Sequence, residues 1–427
     1  MLDIKFIREN PKLIKKTAQQ KGLDLDLKRL LKLDEKRREF QQEIDEIKSN
    51  KKEFNKQIAQ VSEEEKKQVL KTLKKQTKKE KKLDAKYKRI YDEFTDLMLH
   101  VPQIMDDRVP EGKDDSENIE IDSWGDIPEF AFDIKDHVEL GKKLGIIDIE
   151  RGVKIAGTRS YFLVGDGARL EQAILQFALN KMVKKGYKLL SVPTIVNQDS
   201  LVGTGYFPGA EDQTYYIEKD DKYLVGTSEV SVTSYHADEV LNQEALPKKY
   251  IGISSCFRRE AGTYGKDTHG LYRVHQFNKV EQVIVCKNDP EISKQMHEEL
   301  MQNAKEVLQD LKLPYRVVVL CTGDMGLSKY YANDIETWMP SRKSYGETHS
   351  CTTFHDFQAR RLNLRFRDMD GKVHYCHTLN NTVIATPRIL IPLLEIYQNP
   401  DGSVEIPEVL RPYMGGQERI ENPKQEI

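Results

Sequence analysis

A charged face at the end of a predicted strand could bind a nucleotide. The run 249–260 predicts a β-strand, in which side chains two positions apart lie on the same side, so Arg258 and Glu260 would share one face. The loop 261–270 contains three glycines and would then reverse the chain direction. These residues would form one half of a hairpin.

The returning strand would carry the other half of this face. The same alternation aligns Arg273, Phe277 and Glu281. Arginine binds phosphate through paired hydrogen bonds, an aromatic ring stacks on a base, and a carboxylate accepts hydrogen bonds from an amino group. An ordinary charged sheet face would show the same alternation, and alternation alone favours that simpler interpretation.

Arg388 shifts the interpretation towards phosphate binding. Thr386 and Pro387 precede it and predict the start of an apolar helix, with Thr386 as N-cap and Pro387 in the first turn. An arginine in the first turn opposes the helix dipole, whereas a bound phosphate would be attracted by both. The sequence has no P-loop, Rossmann or kinase glycine motif, so a nucleotide would require a different kind of site.

The composition predicts a globular protein with two or three domains. The chain has 427 residues, of which 38% are hydrophobic and 32% are charged, and its net charge is −2. No apolar run is long enough for a membrane span, and the N-terminus carries charges where an export signal would be apolar. We therefore expect a cytosolic protein that does not bind a membrane.

The cysteines predict neither disulfides nor a zinc site. They are far apart in the sequence, with no C-x-x-C pair, at Cys256, Cys286, Cys321, Cys351 and Cys376. We expect free thiols and no zinc.

Two long helices are predicted near the N-terminus. Apolar residues recur in steps of three and four along two strips that contain no proline or glycine. The first strip is Leu30, Leu33, Arg37, Phe40, Ile44, Ile47, Lys51, Phe54, Ile58 and Val61; the second is Val69, Leu73, Gln76, Glu80, Leu83, Tyr87, Ile90, Phe94 and Leu97. Ser62 and Glu65 fit a capping box, which predicts a tight turn and an antiparallel hairpin over about residues 27–98.

The charge of this hairpin is concentrated on its second helix. Residues 66–90 contain 12 Lys or Arg against 2 Asp or Glu, a local net charge of +10. A solvated spacer or an oligomerisation device would need only a surface of mixed charge, whereas clustered lysines suit a phosphate backbone. We therefore expect this hairpin to bind RNA.

The rest of the chain predicts an α+β domain. The segment 101–127 is rich in Pro, Asp and Gly and predicts a linker. Helices over about 166–186 and 290–312 alternate with runs in which apolar and polar residues alternate, as in antiparallel strands. These runs begin at Lys188, Lys248, Leu271, Tyr315, His355 and Val373.

Several short motifs, together with the hairpin, resemble those of the class II aminoacyl-tRNA synthetases. Within that class the chain resembles the seryl-tRNA synthetases over its whole length. The motifs are Gly226–Glu229, Phe257–Gly262, Arg273–Phe277, Asp356–Arg361, Arg388 and Pro407–Met414. The resemblance implies a tRNA-binding domain over 1–101 and a catalytic domain over 102–427. It also implies a homodimer, with tRNA(Ser) on the hairpin, that forms seryl-adenylate from L-serine and ATP. It leaves open whether tRNA(Sec) is a substrate.

The resemblance also assigns roles to residues. Arg258 would bind the α-phosphate of ATP and Arg388 the γ-phosphate, as the two catalytic residues. The other ATP contacts would be Glu260, Arg273, Val274, Phe277, Glu347 and Ser350, with Mg²⁺ at Glu347 and Ser350. The serine contacts would be Thr227, Glu229, Arg258, Glu281 and Thr382.

One position departs from the family pattern. Many relatives have a glycine-rich Asn-Gly-Ser-Gly where this chain has Asn380-Asn381-Thr382-Val383. Thr382 keeps the hydroxyl, but its methyl group would narrow the pocket.

Two other functions would share part of this sequence. A ligase for another amino acid or a carrier protein would keep the ATP residues, but the serine-pocket strand and the hairpin disfavour it. A catalytically silent RNA-binding relative is disfavoured by the retained Arg258, Glu260, Phe277 and Arg388.

Overall fold

The computed structural model describes residues 1–57, 62–262 and 270–421. The chain folds into two compact units, Met1–Pro102 and Gln103–Ile427. Among the described residues, no helix is long and apolar enough to cross a bilayer.

The first unit is helical and contains the predicted pair of long helices. Two short helices, α1 (Ile4–Glu9) and α2 (Pro11–Gln20), precede α3 (Leu27–Gln57) and α4 (Glu63–Leu99). The helices α3 and α4 pack along each other, which confirms the hairpin. Of the predicted seam, Ile58 and Val61 lie outside the described residues.

The capping box at the start of α4 is also confirmed. The backbone N–H of Ser62 donates to Glu65 Oε2 at 3.0 Å, and the Ser62 hydroxyl donates to the same oxygen at 2.7 Å. These hydrogen bonds lower the pKa of the Glu65 carboxyl, the hydroxyl contact having the larger effect. The hydrogen bonds fix the chain direction at the start of α4.

Polar residues in the seam pair with each other across the hairpin. Lys51 Nζ on α3 lies 2.6 Å from Glu80 Oε2 on α4, so two of the three charged seam positions form an ion pair. Gln76 Oε1 is buried without a hydrogen-bond partner among the described residues. The apolar part of the seam is best buried towards the base of the hairpin, at Leu30, Leu33, Ile44, Ile47, Leu83 and Phe94.

The second unit is built on an eight-stranded sheet. Its order is β1-β5-β6-β7-β8-β4-β3-β2, and all neighbouring strands are antiparallel except β2 and β3. In chain order the strands are β1 (Ile119–Trp124), β2 (Lys188–Ser191), β3 (Lys248–Phe257), β4 (Gln276–Cys286), β5 (Tyr315–Val319), β6 (Tyr331–Met339), β7 (Ser344–His355) and β8 (His377–Thr386). The predicted antiparallel α+β fold is confirmed.

Helices and small sheets surround this sheet. The helices are α5 (His137–Lys143), α6 (Ile149–Ala156), α7 (Asp166–Lys184), α8 (Gln198–Thr204), α9 (Glu229–Thr233), α10 (Pro290–Asp310), α11 (Phe357–Arg361) and α12 (Leu390–Ile396). The shorter strands are Ile147–Asp148 with Phe162–Leu163, Ile195–Val196 with Tyr216–Ile217 and Lys222–Leu224, Val240–Asn242 with Arg365–Arg367 and Val373–Tyr375, and Val404–Glu405 with Arg419–Ile420. The largest core cluster joins α7, α10 and α12 to the sheet.

The strand predicted from His355 is wrong in its first part. Residues Phe357–Arg361 form the helix α11, and a strand begins only at Arg365. Arg360 Nε lies 2.7 Å from Asp356 Oδ2, an ion pair at the i,i+4 spacing that supports a helical turn. The turn also buries Gln358. In a strand, Gln358 would point to the side opposite to its two neighbours and would be exposed.

Candidate active site

Arg388 lies in a turn between β8 and α12. The predicted helix start is wrong: Thr386 is the last residue of β8, where it pairs with Asn278 of β4, and α12 begins only at Leu390. The Thr386 hydroxyl donates to Glu171 on α7 at 2.6 Å instead of capping a helix. The pairing with β4 therefore extends the strand to Thr386, and Arg388 follows it outside the helix.

The Arg388 side chain contacts two other elements. Its Nη1 donates to the Glu347 carbonyl at 2.9 Å and lies 3.3 Å from Glu347 Oε2. Its Nε donates to the Tyr272 carbonyl at 3.3 Å, and its guanidinium lies 4.3 Å from the centre of the Tyr272 ring. The structure thus brings together two of the predicted ATP residues that are far apart in the sequence.

Glu347 and Ser350 both lie on β7, as part of the site predicted for a metal ion. Partial burial opposes ionisation of Glu347, but the guanidinium groups of Arg388 and Arg258 outweigh it and lower the pKa of this carboxyl. The Glu347 side chain is 46% exposed and so is accessible to a ligand. An ionised, accessible carboxylate is the state a cation would require.

Asp334 is a carboxyl group at this site that the sequence analysis missed. It lies on β6 directly opposite Ser350 of β7. Burial, and next the charge of Glu347, raise the pKa of Asp334 to about 7. No strand was predicted over residues 331–339, so nothing in the sequence indicated that Asp334 would lie beside Ser350.

Arg258, one residue beyond the end of β3, lies beside Phe277 of β4 as predicted, but Glu260 and Arg273 lie further from the strand ends. The strand β3 ends at Phe257 and β4 begins at Gln276, and Glu260 has a φ of 51° that no regular strand contains. Arg273 Nη1 nevertheless lies 3.5 Å from Glu260 Oε2. The predicted alternation is therefore wrong at these two positions, where loop geometry makes the contact.

The loop between these strands is only partly described. Residues 263–269 of the predicted reversal lie outside the described residues. Val274 is buried, with 5% of its surface exposed. The carbonyl before it, that of Arg273, accepts a hydrogen bond from Arg159 Nη1 at 3.2 Å.

Arg258 connects the nucleotide residues with the predicted serine residues. Its guanidinium lies 5.1 Å from the centre of the Phe277 ring. Its Nε donates to the carbonyl of Gly226 at 3.3 Å, immediately before Thr227. A single arginine therefore contacts both the Phe277 ring and the segment that begins the predicted serine residues.

The predicted serine residues form a buried acidic cluster. Thr227, Glu229, Glu281 and Thr382 are each less than 9% exposed. The Glu229 N–H donates to Thr227 Oγ1 at 3.2 Å, and the Thr382 hydroxyl donates to Glu281 Oε2 at 3.4 Å. The structure thus brings all four residues into one part of the fold, from three separate elements.

A glycine on β3 permits α9 and the residues before it to pack closely on the sheet. Gly252 on β3 lies opposite Glu281 on β4. A Cβ at Gly252 would lie 2.8 Å from Val232 Cγ2 and 3.0 Å from Ser228 Oγ, closer than packed carbon atoms allow. The missing side chain lets α9 and its preceding residues pack directly on the sheet.

Three further residues of the pocket were missed in the sequence. Tyr206 donates its hydroxyl to Glu229 Oε2 at 3.0 Å, and Gln358 Nε2 donates to Glu229 Oε1 at 2.9 Å. Lys279 Nζ lies 2.5 Å from Glu281 Oε2. Tyr206 and Gln358 are distant in sequence from Glu229, but Lys279 is two positions from Glu281 in one strand, and alternation could have found it.

Burial governs the protonation of this cluster. Burial, followed by the charge of Glu281, raises the pKa of the Glu229 carboxyl, while Lys279 and the donors Gln358 and Tyr206 lower it less. Burial and the charge of Glu229 raise the pKa of Tyr206, so its hydroxyl stays protonated and remains a donor. The cluster can therefore orient a small ligand that carries both an ammonium and a hydroxyl group.

Comparisons with known proteins cover both units of the chain. Residues 1–105 match the family model of the seryl-tRNA synthetase N-terminal domain. Residues 214–397 match that of the class II tRNA synthetase core domain for G, H, P, S and T. A serine–tRNA ligase from Deinococcus radiodurans is 44% identical over 423 residues, which cover 99% of this chain and 100% of the relative.

Solved structures show the same similarity. Seryl-tRNA synthetase from Pyrococcus horikoshii, complexed with ATP, matches with a TM-score of 0.89 and 36% identity, covering 99% of this chain and 100% of that one. The cytoplasmic serine–tRNA ligase from Naegleria fowleri, in complex with AMP, matches with a TM-score of 0.87 and 32% identity, covering 99% of each chain.

Proposed function

The chain belongs to the seryl-tRNA synthetase family, and we propose that it activates L-serine with ATP and transfers the seryl group to the 3′ end of tRNA(Ser). The observation that carries this proposal is the position of Arg258. It contacts the Phe277 ring on one side and the Gly226 carbonyl, at the start of the serine pocket, on the other. A ligand that joins a nucleotide to serine would span these two contacts.

In the first step, a carboxylate oxygen of serine attacks the α-phosphorus of ATP. A new O–P bond forms, the bond to the bridging oxygen breaks, and pyrophosphate leaves with the electron pair. Arg258 would stabilise charge on the α-phosphate and Arg388 on the γ-phosphate, while Phe277 stacks on adenine. Glu260, Arg273 and Val274 would complete the nucleotide site. The step requires positioning and charge stabilisation, with no protein nucleophile.

Mg²⁺ would bind with ATP at Glu347 and Ser350. The described residues hold no cluster of three or more His, Cys, Asp or Glu side chains arranged for a metal ion. One carboxylate and one hydroxyl nevertheless suit Mg²⁺, which prefers oxygen ligands and is commonly held by few protein groups together with substrate phosphates and water. The metal ion would offset negative charge on the phosphates.

The buried cluster would select serine. Glu229 would bind the substrate ammonium, assisted by Thr227, and Glu281 and Thr382 would bind its hydroxyl. An amino acid without a hydroxyl would leave these buried polar groups without a partner, which disfavours it.

The second step requires tRNA, which the basic helix α4 would bind. Its cluster of lysines and the match of residues 1–105 to the family's N-terminal domain support this role. We therefore assign residues 1–101 to tRNA binding and residues 102–427 to catalysis, in a cytoplasmic homodimer. Charging of tRNA(Sec) as a second substrate would follow if the hairpin accepts both tRNAs.

The first step can be tested by ATP–pyrophosphate exchange with each of the twenty amino acids. We expect exchange that depends on serine and requires Mg²⁺. Exchange with another amino acid alone would indicate a different ligase. RNA binding without any exchange would indicate a catalytically silent relative.

A further inference from the structure

We propose that Lys279 is a positioning residue of the serine pocket, which holds Glu281 in place as the hydroxyl acceptor and offsets its charge, so that Glu229 attracts the substrate ammonium. This inference rests on the proposed function. It assigns different tasks to two glutamates of the same buried cluster.

Lys279 and Glu281 form a buried ion pair on one face of β4. They are 6% and 2% exposed, and the distance from Lys279 Nζ to Glu281 Oε2 is 2.5 Å. The neighbours of Lys279 on adjacent strands are small, Ser254 on β3 and Ala385 on β8, so the sheet has room for the lysine.

The ion pair is poorly explained by stability alone. Removing two charges from water costs as much as their attraction returns, and an apolar pair of similar size often stabilises a fold equally well. Lysine is also among the residues least often buried. A buried lysine beside a predicted substrate contact therefore suggests a role in binding.

Glu229 has a different environment. Its oxygens accept hydrogen bonds from Tyr206 and Gln358, which are neutral donors and bring no positive charge to offset that of a carboxylate. Glu281 and Lys279, by contrast, cancel each other. With both carboxylates ionised, the three groups would carry one net negative charge, which matches the single ammonium group of the substrate.

The other titratable groups near the pocket do not change this balance. Arg258 contacts Gly226 and Phe277, at the side where the substrate carboxylate and α-phosphate would lie. Burial raises the pKa of the Cys256 thiol, on β3 beside this cluster, so it remains neutral. Tyr206 also remains neutral, because burial raises the pKa of its hydroxyl.

The two single variants should both weaken serine binding, for different reasons. In Lys279→Met, Glu281 loses its partner, takes up a proton in the buried pocket, and can no longer act as a charged acceptor. In Glu281→Gln, Lys279 is left as a buried cation that repels the substrate ammonium. The double variant removes both charges and restores the net charge of the pocket.

The experiment measures KM for serine and for ATP in the exchange reaction, from pH 6 to 9, for the wild type and the three variants. Each single variant should raise KM for serine about 10- to 100-fold, the change expected from one charge-assisted hydrogen bond, and leave KM for ATP within about twofold. KM for serine of Lys279→Met should vary with pH where that of the wild type is flat. The double variant should have a lower KM for serine than Glu281→Gln.

Other outcomes would overturn the inference. If the wild type exchanges with serine but Lys279→Met has an unchanged KM and pH profile, or the double variant shows the product of the two single effects, Lys279 is only structural. If the wild type shows no serine-dependent exchange, the proposed function fails as well. If Lys279→Met does not fold, as judged by circular dichroism, Glu281→Gln is compared with the double variant. A KM for serine in the double variant that is no lower than in Glu281→Gln would then overturn the inference.

Discussion

The guanidinium of Arg388 lies 3.3 Å from the carboxylate of Glu347, which joins the turn after β8 to the centre of β7. The same guanidinium packs on the Tyr272 ring. Arg388 is therefore held in place before any nucleotide binds, so less conformational freedom is lost on binding. The pairing also places a predicted phosphate ligand beside a predicted metal ligand.

Arg388→Ala should strongly impair adenylate formation. Loss of a charged contact to phosphate typically costs about 2–4 kcal/mol, or about 30- to 1000-fold in kcat/KM for ATP. Steady-state exchange kinetics would measure this change. Arg342→Ala is a matched control, because Arg342 also packs on Tyr272, at 4.3 Å, but is not a predicted phosphate contact. Equal effects of both variants would remove Arg388 from the phosphate site.

The Thr382 hydroxyl should contribute to the recognition of serine. Thr382→Val keeps the shape but removes the hydroxyl that lies 3.4 Å from Glu281 Oε2, and it should raise KM for serine about 5- to 30-fold. Thr382→Ser is the control, since it retains the hydroxyl and removes only the methyl group. Its KM for serine should stay near that of the wild type. If the valine variant also behaves as the wild type, Thr382 does not contact the substrate.

Deleting residues 31–95 should spare exchange and abolish tRNA charging, because the hairpin would bind tRNA without touching the reacting atoms. A milder change tests the charge itself. Replacing the exposed Lys74, Lys75 and Lys78 of α4 by glutamine should weaken tRNA binding and reduce its dependence on salt by about one unit of slope per lost phosphate contact. Replacing the exposed Lys48 and Lys52 of α3 is the matched control. Unchanged charging after the deletion would refute the RNA role.

The catalytic unit should lose stability below about pH 6.5. Burial lowers the pKa of His297 and of His349 to about 4, below the ordinary value of 6.5. The unfolded chain therefore binds protons that the folded protein cannot. This stability is fully present above about pH 6.5 and falls as the pH decreases from 6.5 to 4, by about 1.4 kcal/mol per pH unit for each histidine.

Thermal unfolding between pH 7.5 and 4.5 would measure this loss. His297→Gln should lower stability at pH 7.5, because the ring contacts Thr353 and Asn333, but should flatten the pH dependence. His100→Gln, in a partly exposed position of the first unit, is the control. If the stability of His297→Gln depends on pH as steeply as that of the wild type, His297 does not contribute to the loss of stability at low pH.

Local periodicity was sufficient to predict the hairpin and the strands β2, β3, β4, β5 and β8, whereas β1, β6 and β7 were not predicted. The seam along α3 and α4 and the Ser62–Glu65 capping box depend on residues within one or two turns of each other. Such patterns are visible in a sequence because neighbouring residues alone determine them. The alternation that predicted Arg258 and Phe277 on one face is also a pattern of residues that are close together in the sequence.

The predictions that were wrong, and most of the site residues that were not predicted, depend on contacts between distant segments of the chain. Thr386 extends β8 because it pairs with Asn278, and this contact displaces the predicted helix start. Glu260 and Arg273 meet through a loop, which alternation does not describe. Gln358 reaches Glu229 over 129 residues, so only the fold reveals it.

The most direct test of the central claim is transfer of labelled serine to a tRNA(Ser) transcript by the purified full-length chain, with ATP and Mg²⁺ present. We expect charging that requires serine, ATP and this tRNA, and no comparable charging with alanine or threonine. Stable binding of the transcript with no serine transferred to its 3′ end, by protein shown to be folded, would contradict it.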